Sequence, residues 1–145
     1  MSAYADTSFL VSLYIHDSNS HAVGAQLRRA KPPFYLTPFG ELELINTLQL
    51  WLFRGEMLTS SVHDAQAQIR ADVEMGILAL VPIPIGLYER AKQIARRRTA
   101  SLGCRSLDIM HVASAEMLQA DTFCTFDRAQ AKLAIAEGLK VVALR

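Results

Sequence analysis

The chain is poor in cysteine, carries no excess charge of either sign and has no long apolar run, and each absence removes a class of protein. Only Cys104 and Cys124 occur in 145 residues. They lie in or beside apolar segments, without the paired spacing of a zinc site. A disulfide between them stays open from sequence alone, but a domain of this size does not need one, and reduced core thiols are the reading adopted. Fifteen basic against fourteen acidic residues give a formal net charge of +1. Bulk charge thus argues neither for nor against a nucleic-acid partner, and its distribution has to be read instead. No window reaches the roughly 18 uninterrupted apolar residues of a membrane span. The opening segment Met1-Ser2-Ala3-Tyr4-Ala5-Asp6 lacks the basic start of a secretion signal. A soluble, cytoplasmic protein with no membrane contact is expected. Repeats, low-complexity tracts and linkers are also missing, so residues 1–145 are read as a single domain.

What the chain does have is 51% hydrophobic residues, set out as short apolar runs that alternate with helical patterns. The runs are 3–6, 34–37, 77–81, 122–125 and 140–144. The third, bounded by Gly76 and Pro82, reads as a buried strand. Ser8 is expected to cap a short helix over 9–14, and a second helix at about 20–30 should end before Pro32-Pro33. A long helix over 38–53 has Pro38 in its first turn and Gly55 past its end. Ser60 or Ser61 is expected to cap the next, running through Val73 to Gly76. Further helices are expected at 84–99, at 106–118 with Ser106 as cap, and at 128–137 ended by Gly138. Strands alternating with helices imply parallel pairing through right-handed crossovers. The expected fold is therefore α/β, a three-layer α/β/α sandwich around a mostly parallel sheet of about five strands.

Four acids fall where these runs end or helices begin: Asp6, Glu43, Asp108 and Asp127. In a parallel sheet the carboxyl ends of neighbouring strands share one edge, where ligand sites of open α/β folds form. Carboxylates gathered there repel one another and are costly to keep ionised unless a cation offsets them. An oxygen-only set suits Mg²⁺ or Mn²⁺ and not Zn²⁺. Each acid also has a plainer reading. Asp6, with the Thr7 and Ser8 hydroxyls in the same loop, could simply cap a helix. Asp108 lies in a first helical turn, where the dipole stabilises an acid by roughly 0.3–1 kcal/mol. Asp127, two residues after Thr125, could cap the helix beginning at Arg128. His111, three residues beyond Asp108, reads as a packed core histidine more readily than as a ligand or base. Glu43 competes with Glu41. If Leu42, Ile45 and Leu48 mark the core-facing stripe, Glu43 borders it with Asn46 and Thr47 one turn along, and Glu41 has no such polar neighbours. Glu43 is preferred on that ground, with Ser8, Asn46 and Thr125 as supporting polar groups.

Arg90, Lys92, Arg96, Arg97, Arg98 and Arg105 fall within sixteen residues that contain no acid. Such a run is either a solvated helix face or a phosphate-binding patch leading into Asp108. On the second reading Arg96, Arg97, Arg98 and Arg105 are candidate nucleic-acid contacts. The stretch Leu48-Gln49-Leu50-Trp51-Leu52-Phe53 is mostly core. It is also too apolar all round for a helix with one solvated face, which suggests a protein partner or a dimer contact.

Four segments together carry a resemblance: Tyr4-Ala5-Asp6-Thr7-Ser8, Thr37-Pro38 leading into Glu43-Leu44-Ile45-Asn46-Thr47-Leu48, Ser106-Leu107-Asp108-Ile109-Met110-His111-Val112-Ala113, and Thr125-Phe126-Asp127-Arg128. They resemble the PIN-domain family, and most closely the VapC toxins of bacterial toxin–antitoxin pairs. The resemblance implies a PIN-like fold in which Asp6, Glu43, Asp108 and Asp127 are the catalytic metal-site acids, with Thr125 as a helper. It implies an Mg²⁺- or Mn²⁺-dependent endoribonuclease, a homodimer, and a cognate antitoxin that occludes the site. The paired Glu41 and Glu43 are a departure that blurs the register of the second acid. The chemistry expected is attack of metal-activated water on an RNA phosphodiester. No side chain stands out as a nucleophile, and His111 is not assigned as the base.

Rival readings fit less well. A receiver-like signalling domain wants an aspartate at the end of its third strand, where Leu80-Val81-Pro82 stands. A haloacid-type phosphatase wants a second aspartate two residues after Asp6, and Ser8 occupies that place. A non-catalytic PIN-like module binding RNA or protein is opposed only by the presence of all four acids.

Overall fold

Strand residues alternate between two separate cores, as the period of two requires. Ala3, Ala5, Phe34, Leu36 and Cys124 enter one core with Phe9, Leu44, Leu48 and Ile69. Tyr4, Tyr35 and Phe123 point the other way, into a core with Leu87, Ile94, Val112 and Leu133. A sheet apolar on both faces needs a helical layer on each, so the sandwich follows from the pattern. In this computed structural model, which describes residues 2–15 and 32–143, the strands are β1 (Ala3–Ala5), β2 (Phe34–Leu36), β3 (Leu78–Leu80), β4 (Thr122–Thr125) and β5 (Val141–Ala143). The described helices are α1 (Thr7–Tyr14), α2 (Pro38–Phe53), α3 (Thr59–Glu74), α4 (Leu87–Leu102), α5 (Ser106–Met117) and α6 (Arg128–Ala136). The helix expected at 20–30 lies outside the described residues.

All four strand pairings are parallel, in the order β3-β2-β1-β4-β5. The chain winds outward from β1 through β2 to β3, then returns to lay β4 and β5 on the other side of β1. The winding thus reverses between β1 and β4, and the crevice at their carboxyl ends is the position where open α/β sheets take ligands. The edge position of β3 corrects one expectation. Leu78 is buried, but Leu80 is 48% exposed, so this run is apolar without being buried throughout.

Local chemistry sets the helix ends. Asp6, not Ser8, caps α1 by accepting the Phe9 amide at 3.0 Å. The backbone turns helical one residue before Ser8, leaving that hydroxyl free for other partners. Thr37 caps α2 by accepting the Gly40 amide at 3.2 Å, with Pro38 in the first turn. Leu58 and Arg105 stand at the N-caps of α3 and α5 with no side-chain cap bond. Ser60, Ser61 and Ser106 are therefore first-turn residues, not caps. Pro84 does not open α4: Gly86 takes a φ of 86°, and the helix runs from Leu87 until Gly103, at 67°, stops it. The face of α2 also differs from expectation. Gly40, Leu44 and Leu48 are buried, whereas Leu42 is 66% exposed. A stripe of three residues spaced four apart, shifted from the one read in sequence, faces the core. A Cβ on Gly40 would lie 3.1 Å from Leu36 Cδ1 and 3.6 Å from the His111 ring, so glycine lets α2 approach the sheet closely here.

Both cysteines are free, and burial pushes the Cys124 thiol up to about 12, which makes it an inert core group. No described helix is long and apolar enough to cross a membrane.

Candidate active site

Asp6, Glu43, Asp108 and Asp127 line one cavity of about 430 Å³. Asp6 follows β1, Glu43 lies in the second turn of α2, Asp108 in the first turn of α5, and Asp127 follows β4 and caps α6. The site is thus assembled from both sides of the sheet's switch point.

Asp6 is the buried member. Its Oδ1 accepts from the Ser8 hydroxyl at 2.6 Å and from the Phe9 amide at 3.0 Å, and its Oδ2 accepts from the Thr125 hydroxyl. Each of those hydroxyls also accepts an amide from the β4–α6 turn: Ser8 from Phe126 at 2.9 Å and Thr125 from Asp127 at 3.0 Å. Two side chains thereby fix Asp6 relative to the turn that carries Asp127. Burial pushes the Asp6 carboxyl above its ordinary value, against the Ser8 and Thr125 hydrogen bonds, the nearby His111 and the Phe9 amide.

Glu43 is held by a different set. Its Oε1 accepts from the Thr7 hydroxyl at 3.1 Å and pairs with His111 Nε2. Burial acts to raise this carboxyl, but hydrogen bonding and charge from His111, the Thr7 hydroxyl and the charge of Arg105 outweigh it, leaving it below the ordinary range. On the far side of the ring, His111 Nδ1 lies 2.8 Å from the Tyr4 hydroxyl. A carboxylate only accepts, so in a neutral ring Nε2 carries the proton and Nδ1 accepts from Tyr4.

Asp108 and Asp127 share Arg105. Its Nε–H donates to Asp108 Oδ2 at 3.0 Å, and a terminal N–H lies 3.4 Å from Asp127 Oδ2. Asp127 Oδ1 caps α6 by accepting the Ala129 and Gln130 amides at 2.8 and 3.1 Å. The buried Gln130 amide donates to the Asp108 carbonyl at 3.0 Å, tying the starts of α5 and α6 together.

Among the residues singled out in sequence, Ser8, Thr125 and Arg105 meet the acids. Asn46 does not: it is exposed, and Thr47 faces the cavity in its place, its hydroxyl donating to the Glu43 carbonyl at 2.7 Å. Arg97 and Arg98 pair instead with Glu137, and Arg98 also donates to the Ala136 carbonyl at 2.7 Å. With the exposed Arg96 they do not line the cavity. Sequence reasoning misses Gln130 and Tyr4 as supports of the acids, and the Thr7 hydroxyl, read as part of the Asp6 loop, donates instead to Glu43. Gln130 stands at the third helical position after an aspartate cap, a faint signal; the Tyr4–His111 contact has none, because 107 residues separate its partners.

The donor set is all oxygen, which fits a hard divalent ion such as Mg²⁺ or Mn²⁺. Among the described residues, no three His, Cys, Asp or Glu side chains already converge on one point. Asp6 is instead held by hydroxyls, Glu43 by His111, and the Asp108–Asp127 pair by a guanidinium. A cation bridging two carboxylates is itself a sign that this edge attracts positive charge.

An open parallel α/β sandwich with an acidic cavity at its switch point is the class these features define. A family model of the PIN domain matches residues 3–136, and the chain belongs to that family. Among solved structures, it is similar to VapC20 of Mycobacterium tuberculosis, described as a Sarcin-Ricin loop cleaving toxin, at 18% identity over 94% of this chain and 95% of that one, with a TM-score of 0.64. It is also similar to VapBC2 of Rickettsia felis bound to a fragment of its promoter DNA, at 12% identity over 100% of both chains, TM-score 0.68. VapBC-5 of M. tuberculosis, described as a member of the VapBC family of toxin-antitoxin systems, matches at 16% identity over 99% and 98%, TM-score 0.56. No curated protein matches the chain.

Proposed function

We propose that this chain is a metal-dependent endoribonuclease, the toxin of a toxin–antitoxin pair, and that Asp6, Glu43, Asp108 and Asp127 form its catalytic metal site. The observation that carries the reading is that four carboxylates, from four different elements, line one cavity at the switch point of a PIN-family sheet. Bound Mg²⁺ or Mn²⁺ would supply an activated water and stabilise charge on the attacking and leaving oxygens of a phosphodiester. The chain's own part is to present the carboxylates. Ser8 and Thr125 fix Asp6, His111 and Thr7 aim Glu43, and Gln130 sets the spacing of the helix starts that carry Asp108 and Asp127. The Ser8 and Thr47 hydroxyls that line the cavity donate to the Asp6 carboxylate and the Glu43 carbonyl, so on this reading the acids hold a cation and water attacks the phosphate.

The likeness to proteins described as toxins, or as toxin–antitoxin assemblies, supports a cognate antitoxin as partner, RNA as substrate and the cytoplasm as site of action. A homodimer is part of the same proposal. Phe53, 87% exposed, and the exposed Leu50 and Leu58 around the end of α2 support a protein contact there.

Cleavage of RNA by the purified protein should need Mg²⁺ or Mn²⁺ and stop on adding EDTA. Asp6→Asn and Asp108→Asn should each reduce it to background, with circular dichroism and Tm showing a folded protein. Undiminished cleavage by folded Asp6→Asn protein would remove the mechanism.

A further inference from the structure

Among the described residues that line the acidic cavity, Arg105 is the one Lys or Arg. Its guanidinium forks onto Asp108, at 3.0 Å to Oδ2 and 3.5 Å to Oδ1, and reaches Asp127 at 3.4 Å. The side chain is nevertheless 74% exposed. It also stands at the N-cap of α5, the positive end of a helix, where a cation is disfavoured. Nothing about its place on the backbone favours the charge; the carboxylates hold it there. Ion pairs this open to solvent hold weakly, so the guanidinium can leave without disturbing the fold.

Two demands meet at this side chain. A divalent ion bound by Asp108 and Asp127 would take the oxygens that Arg105 now occupies, and its charge would repel the guanidinium. An RNA strand approaching a mouth lined by four carboxylates needs a positive group, and a guanidinium matches two phosphate oxygens at once. We infer that Arg105 is an exchangeable counter-ion: it neutralises Asp108 and Asp127 in the metal-free protein and passes to an RNA phosphate when a divalent ion takes the acids. The inference rests on the nuclease reading above and adds to it the residue that receives the substrate backbone.

Calorimetric titration of Mn²⁺ into the full chain without RNA, beside RNA cleavage kinetics, tests both halves. Arg105→Gln should bind Mn²⁺ about two- to fivefold more tightly than the parent, because a competing exposed ion pair is gone. Its KM for RNA should rise about tenfold, the loss of a charged hydrogen bond, with kcat changed less. Arg105→Lys should keep the parent's Mn²⁺ affinity but recover only part of the KM, since an ammonium cannot fork. A merely structural arginine would instead give unchanged or weaker Mn²⁺ binding in Arg105→Gln, and that result overturns the exchange. Tighter Mn²⁺ binding with unchanged KM would overturn the phosphate role. Mn²⁺ uptake by neither protein would overturn the metal site and this inference together, whereas uptake by the parent without a gain in the variant overturns this inference alone.

Discussion

His111 turns a buried ring edge onto the Glu43 carboxylate, although 68 residues separate them in the chain. The contact joins α5 to α2 across the mouth of the cavity, and Gly40 makes room for it by letting the helix come close. Tyr4 on β1 holds the other ring nitrogen. Three elements from both sides of the switch point are thus committed to the aim of one carboxylate, an arrangement in which the partner behind the acid matters as much as the acid.

Glu43→Gln should therefore cut RNA cleavage severely, by about a hundredfold or more, while Glu41→Gln should leave it within about threefold. Glu41 belongs to a separate groove with Leu44, Ile45 and Arg70 between α2 and α3. The two variants assayed side by side settle the register. The reverse order would place the wrong face of α2 on the cavity.

Tyr4→Phe removes one oxygen from a filled core and leaves His111 Nδ1 without its donor. Losing a buried partner costs about 1–3 kcal/mol, so a lower Tm is expected. The variant should also lose about tenfold or more in kcat or metal affinity, because the ring loses the hydrogen bond that holds its orientation toward Glu43. Full activity in a Tyr4→Phe protein, whatever its Tm, would show that the hydroxyl does not act through His111.

Asp6 gives a prediction of opposite sign for stability and activity. Its carboxyl is raised by burial, so the folded protein holds its proton more tightly than the unfolded chain does. Stability then falls as pH rises from the ordinary aspartate value of about 3.9 up through the raised folded value. Asp6→Asn removes that penalty while keeping an oxygen to cap α1. In EDTA at neutral pH its Tm should equal or exceed the parent's, and Mn²⁺ should raise the parent's Tm more than the variant's. A fall of about 5 °C or more in EDTA would mean that the carboxylate is needed for folding and is not a strained functional group.

Periodicity and punctuation made the sheet and its parallel pairing legible. Phe34–Leu36 and Thr122–Thr125 stand out by composition, Ala3–Ala5 is too short to read by periodicity and leans on the residues that follow it, and Pro38, Gly55 and Gly138 mark helix ends. Caps are less legible, because Ser8, Ser60, Ser61 and Ser106 are good capping types that lie one to three residues past the N-caps the helices use. Which serine is used depends on where the backbone turns, a choice settled by packing. The preference for Glu43 over Glu41 rests on a stripe of Leu42, Ile45 and Leu48, yet the buried stripe is Gly40, Leu44 and Leu48. The small glycine hid that face. The partners of the acids were the least visible part, since Tyr4, His111 and Gln130 meet them only through tertiary contact.

The arginine run shows how charge clustering misleads when its partner is distant in sequence. Arg97 and Arg98 converge on Glu137, 39 residues from Arg98, at the end of α6. The Glu137 side chain is nearly covered, and although burial acts to raise its carboxyl, Arg98 and Arg97 hold it below the ordinary range. A lowered acid stabilises the fold above its unfolded value, about 4.3, and that stability is lost as pH falls through the lower folded value. Glu137→Gln should then cost about 1–2 kcal/mol at pH 7, discounted for the half-exposed arginines. The difference from the parent should shrink as both are taken below about pH 4 in urea-unfolding measurements. The paired Arg97→Ala/Arg98→Ala variant should lose stability in the same way. Its RNA affinity should keep the parent's salt dependence, whereas each lost phosphate contact would flatten the log–log slope by about 0.7 for a single strand. A flattened slope with unchanged stability would return these arginines to the nucleic acid; the geometry with Glu137 leads us to expect the opposite.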